Sequence, residues 1–147
     1  NQLVGFPAPN ALGASLVIKA AMTDKFGIKM LPKYVQTHSS VYLNVALGRL
    51  VAGGGVQKTF NRQDQQIKDR LKIIYRSEKL PSHPVAAHKR VPKLQQSQVR
   101  DALLKIGSTK SGIKLLQSIP IKKIGPAHFS EYEILESWNL DRFYVDR

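Results

Sequence analysis

The 147 residues are enough for one ordinary domain with a real core, and a composition that is 42% hydrophobic and 22% charged excludes a disordered chain. No apolar run is long enough to span a bilayer, and the absence of cysteine excludes disulfides and thiolate metal sites. A formal net charge of +13 raises an anionic partner, whether nucleic acid, anionic lipid or a small anion. The basic residues nevertheless recur singly, the densest spots being His88-Lys89-Arg90 and Lys122-Lys123. With neither a basic block nor a stripe of stacking aromatics, nucleic acid is the disfavoured partner.

In chain order, Leu3-Val4-Gly5-Phe6 reads as a short buried strand stopped by Pro7 and Pro9. Asn10 or a neighbour then caps a helix with apolar points at Leu12, Val17, Ile18, Ala21 and Met22, ending near Phe26-Gly27. A second strand is expected over Tyr34-Val35-Gln36-Thr37. Ser39 or Ser40 follows as cap of a helix carrying Val41, Val45, Ala46, Leu47 and Leu50. Gly53-Gly54-Gly55-Val56 reads as a short glycine-bearing strand, 63–71 as a polar helix, and Lys72-Ile73-Ile74-Tyr75-Arg76 as a further strand. Strand and helix thus alternate at short spacing over 1–77, the pattern of a mainly parallel sheet covered by helices, whose sites lie at the carboxyl ends of its strands. Residues 78–92 are the candidate hinge, built on Leu80-Pro81-Ser82-His83-Pro84, with a further strand expected at Val85-Ala86-Ala87-His88. Residues 93–147 read as helical: Pro92 opens one helix, Ser111-Gly112 precedes another, and Pro126 opens a last one through Tyr132, Ile134, Leu135 and Trp138.

Four motifs in this order, Phe6-Pro7-Ala8-Pro9-Asn10-Ala11-Leu12-Gly13-Ala14-Ser15, Thr37-His38-Ser39-Ser40-Val41-Tyr42, Ala52-Gly53-Gly54-Gly55-Val56, and Tyr75-Arg76-Ser77 with Leu80-Pro81-Ser82-His83-Pro84, make the chain resemble the phosphate/phosphite/phosphonate-binding periplasmic proteins of ABC transporters. The resemblance implies an α/β fold: a lobe of the type II periplasmic-binding-protein kind, three-layered αβα with a mainly parallel sheet, over 1–77. Residues 78–92 become the return crossing, and 93–147 become helices completing the other lobe. Such proteins have two lobes and roughly twice this length. An N-terminal lobe is therefore expected to be missing here, with association, a homo-oligomer or a swapped dimer as consequences. No signal peptide or initiating methionine opens the chain at Asn1, which fits the interior of a longer precursor. The implied function is an extracytoplasmic or periplasmic solute-binding component that captures a phosphate-like oxyanion for an ABC permease. A ligand-sensing domain is the alternative, and a basic nucleic-acid-binding domain a weaker one.

The candidate site follows from both lines. Ala11, Leu12, Gly13 and Ala14 offer backbone N–H groups at a helix N-terminus, which suit an oxyanion, with the Ser15 hydroxyl beside them. His38 matches a ligand-contacting histidine of the family, and Ser39 reads either as a contact or as a cap. Gly54 and Gly55 are not a P-loop, since no Gly-Lys-Ser/Thr follows; they let the strand end pass close to ligand or to a neighbouring helix. Ser77 ends a strand beside the crossing. Family members that bind aminophosphonates carry hydroxyl residues where Ala11, Leu12 and Gly13 stand, and acids near Gly55-Val56-Gln57 and His83. Their loss implies a simple oxyanion without an amine. No metal site or cofactor is expected from four scattered histidines. No Ser-His-Asp or paired-carboxylate constellation supports an enzyme.

Overall fold

A computed structural model describes residues 2–119 and 121–145. They fall into two units, one of residues 2–80 with 133–145 and one of residues 81–132. The run expected to complete a missing lobe is therefore divided between both.

The first unit is built on three parallel strands in the order β2-β1-β3: β1 (Gln2–Phe6), β2 (Met30–Tyr34) and β3 (Ala52–Gly53). Phe6 pairs with Tyr34 and Gly5 with Gly53. β2 lies at an edge, where Pro32 removes a ladder donor at little cost. The chain leaves β2 earlier than the expected Tyr34–Thr37 strand: Gln36 adopts φ 70° and Thr37 N–H bonds the Val35 carbonyl, so the backbone turns out of the sheet there.

Between β1 and β2 runs the first helix, with α1 (Val17–Ala20) flanked by π-helical turns Leu12–Leu16 and Ala21–Lys25. It ends where foreseen, at Gly27 with φ 63°. Its start differs. Ala11, with no capping side chain, occupies the cap position, because the Asn10 amide is engaged with the backbone of Val145 instead. α2 (His38–Ala46) connects β2 to β3. Its cap is Thr37, not Ser39 or Ser40: Thr37 Oγ1 accepts from Ser40 N–H at 3.0 Å. Thr37→Ala is expected to cost about 1 kcal/mol, read as an earlier midpoint in urea at unchanged slope.

Side chains alternate across β1. Gly5 faces Val41 and Leu50 on the α2 side, while Phe6 lies under Lys19 of the first helix. Helices therefore cover both faces, as right-handed crossovers in opposite directions require. The core cluster joins Leu16, Val17 and Ala20 to Leu140, with Leu12, Leu80, Trp138 and Phe143 packed around it. Leu140 lies in a 3₁₀ turn (Leu140–Phe143) after α7 (Glu133–Ser137), so residues 133–145 close one side of the first helix.

Past β3 the expected 63–71 helix is present only as the short α4 (Gln65–Lys68), and α3 (Gln57–Asn61) precedes it across a break at 62–64. The apolar run 72–76 and residues 85–88 are not strands. Ile74 is 74% exposed and Val85 81% exposed, and among the described residues neither run finds a ladder partner. The second unit is helical. α5 (Lys93–Ser108), preceded by Pro92, turns at Thr109 into α6 (Lys110–Gln117), where Thr109 Oγ1 accepts from Gly112 N–H at 3.2 Å. The last helix opens later than Pro126, as a 3₁₀ turn (Phe129–Glu131) before α7.

Candidate functional site

The order β2-β1-β3 has a physical consequence. The chain leaves β1 towards β2 and then crosses back to β3, so β1 and β3 flank a switch point with a crevice outside their carboxyl ends. Three connections emerge on that edge: residues 7–11 after β1, 35–37 after β2 and 54–56 after β3. Val35 N–H bonds the Phe6 carbonyl and Gly54 N–H bonds the Gly5 carbonyl, at 2.9 and 2.8 Å, which ties the three together.

The first connection delivers unpaired donors. Ser15 and Leu16 N–H both bond the Ala11 carbonyl, at 2.8 and 3.1 Å, the second closing the wide π turn. Leu12, Gly13 and Ala14 N–H precede these bonds and have no acceptor among the described residues. Ser15 itself is fully buried, and its hydroxyl donates to the Ala8 carbonyl at 2.5 Å. That proton holds the turn and is not directed at the crevice.

The second connection delivers His38 as the first residue of α2. Its Nδ1 is buried and has no hydrogen-bond partner among the described residues. Desolvation holds its pKa below the usual 6.5. Tyr42, one turn on along the same face, donates to the Val56 carbonyl at 3.0 Å and bonds Thr59 Oγ1 at 2.9 Å. Burial pushes the Tyr42 hydroxyl pKa up, against the lowering effect of these bonds. Ser39 is exposed and its hydroxyl accepts from Gln63 at 3.2 Å.

The third connection closes against the first. Gly54 is buried on the Ala14 carbonyl and the Phe6 ring, and Gly55 lies against the Tyr42 ring. Beside Gly13 lie the side chains of Leu80 and Val56. Arg76 bonds the Gln57 side chain at the start of α3.

Residues 11–15, 38–39 and 54–55 thus share one edge of the sheet. Ser77 instead lines a cavity of about 450 Å³ with Tyr75, Glu78 and Trp138, against Val17, Ala20 and Ala21 of the first helix, and its hydroxyl bonds the Glu78 carbonyl. His83 belongs to the second unit. Three further residues shape this edge without a functional motif to mark them: Lys19, the Asn10 clamp and the Thr37 cap. Lys19 had a legible signal: it continues the spacing Leu12, Ser15, Leu16 on the buried stripe of the first helix, where a cation is out of place.

Among the described residues no helix is long and apolar enough to cross a membrane. No curated protein and no solved structure matches the chain significantly. A family model described as ABC transporter, phosphonate, periplasmic substrate-binding protein matches residues 1–132. A helix-flanked parallel sheet with unpaired amide donors and a half-buried imidazole along its carboxyl edge is in keeping with that match, and the chain belongs to this family of transporter-linked binding proteins, which are not enzymes.

Proposed function

We propose that the crevice at the carboxyl edge of the sheet receives a small oxyanion (phosphate, phosphite or an alkylphosphonate) on the N–H groups of Ala11 to Ala14 and the imidazole of His38. The observation that carries this is the buried, unpartnered Nδ1 of His38 on the same edge as three unpaired amide donors. A buried polar atom without a hydrogen-bond partner costs about 1–3 kcal/mol. An oxyanion satisfies both groups at once, and the helix dipole favours its charge. Family membership supports the ligand class and an ABC permease as partner. The absence of a carboxylate at Gly55-Val56-Gln57 favours a ligand without an amine.

On this basis the first unit is a type II binding-protein lobe that forms one wall of a cleft. Residues 78–92 act as the hinge, and a lobe outside this chain forms the other wall. Closure on the ligand then offers the closed form to the permease.

Titration of the 15N-labelled chain with methylphosphonate, phosphite, phosphate and sulfate, alongside thermal melts, tests the assignment. Amide signals of residues 11–15 and the His38 ring are expected to move. At a hundred times Kd a ligand adds about 2.7 kcal/mol of stability. 2-Aminoethylphosphonate is expected to bind no tighter than methylphosphonate. A chain whose spectrum and melting point ignore every oxyanion overturns the site.

A further inference from the structure

Lys19 is buried, only 6% exposed, in the first unit. Its Nζ donates to the Tyr34 hydroxyl at 2.9 Å, the Pro9 carbonyl at 3.1 Å and the Phe143 carbonyl at 3.5 Å. It also lies 5.1 and 5.7 Å from the ring centroids of Tyr34 and Phe6. Among the described residues no carboxylate pairs with it; the ion pairs are Arg100–Asp101 and Arg142–Asp24. Neutral oxygens and ring faces hold an ammonium group in place and satisfy its three protons, but they do not cancel its charge. A buried charge held only by neutral groups is costly to keep and acts strongly on a nearby anion.

Its position gives that charge a direction. Pro9 belongs to the connection that leads into the first helix, and Tyr34 ends β2 just before the connection to His38. Three of the turn's carbonyls are engaged: Ala8 O accepts from Ser15 Oγ, Pro9 O from Lys19, and Ala11 O from Ser15 and Leu16 N–H. Each carbonyl so engaged is drawn towards the helix, while the N–H groups of residues 12–14 stay free. A carbonyl oxygen turned into the crevice would repel an oxyanion; Lys19 holds that of Pro9 and brings a positive charge to the same turn.

We propose that Lys19 is a positioning residue of the oxyanion site that also sets its charge preference: it draws the Pro9 carbonyl back and, through its unneutralised ammonium, favours a doubly charged phosphonate over a singly charged one. This rests on the oxyanion site proposed above. Doubling the ligand's charge doubles its interaction energy with Lys19, so the affinity factor due to that charge is squared.

The test compares methylphosphonate with its monomethyl ester by NMR titration of the full chain, at a pH where the first carries two charges and His38 is neutral. The unaltered chain is expected to bind the dianion about tenfold more tightly than the ester. Lys19→Gln, which keeps a hydrogen-bond donor, is expected to weaken the ester about threefold and the dianion about tenfold; Lys19→Met serves as a second neutral variant if the first loses its native spectrum. Lys19→Arg is expected to retain the dianion preference. Equal binding of both probes by the unaltered chain, or equal weakening of both in the neutral variants, overturns the role of Lys19 while the site survives. Binding of neither probe by the unaltered chain removes the site, and the role of Lys19 with it.

Discussion

Gly54→Ala is expected to destabilise the chain by about 3 kcal/mol and to lower its Tm by roughly 10 °C. A Cβ on Gly54 collides with the Ala14 carbonyl oxygen and comes within 2.8 Å of the Phe6 ring. Neither neighbour can yield cheaply. Ala14 is buried in the first turn of its helix, and Phe6 is fully buried at the end of the central strand. Gly54 N–H is meanwhile fixed to the Gly5 carbonyl, so the strand end cannot back away. The contact joins the β3 connection to the turn that carries the free amide donors, so the substitution is also expected to weaken oxyanion binding. Gly27→Ala, where the cost comes from positive φ alone and no atom lies within 4 Å, is the comparison, expected near 1 kcal/mol. A Gly54→Ala melt within about 0.5 kcal/mol of the parent would show that the two connections do not approach as described.

The second large effect concerns His38. In the free protein desolvation holds its pKa below 6.5, so folding favours the neutral ring. That contribution to stability is full above the unfolded value of 6.5 and is lost as pH falls through the lower folded value. An oxyanion beside the ring reverses the preference and raises the pKa. Binding then takes up a proton. The gain in affinity is full below the free-state pKa and is lost as pH rises through the bound-state value. A ligand with a single unchanging charge, the monomethyl ester of methylphosphonate, isolates the imidazole. Its affinity is expected to rise about tenfold between about pH 8 and about pH 5. His38→Gln is expected to flatten that profile. A profile that stays as steep in the variant would assign the proton to another group and take His38 out of the pocket.

Much of the first unit's plan was readable in the chain. Short apolar runs separated by periodic segments announced parallel strands with helical crossovers, and both strand pairs are parallel. Gly27 ends the first helix as its place in the pattern suggests. The errors share a cause. Lys72–Arg76 has the composition of a strand, but a strand exists only where a neighbour offers a ladder, and composition does not report on neighbours. Asn10, Ser39 and Ser40 all have the chemistry of a cap; Asn10 is drawn instead to Val145, 135 residues away, and Thr37 takes the cap of α2. Local propensity differs by tenths of a kcal/mol among such residues, so one tertiary hydrogen bond outweighs it.

The sequence by itself determined the family and the alternation of strand and helix, because these depend on residue type and spacing over a few neighbours. Tertiary structure alone decided which polar groups remain available to a ligand. Ser15 and Asn10 are spent on the frame, Lys19 is enclosed by Pro9, Tyr34 and Phe143, and the His38 nitrogen is left unpaired. Hydrogen-bond partners and desolvation arise from contacts between segments far apart in the chain, which no local pattern encodes.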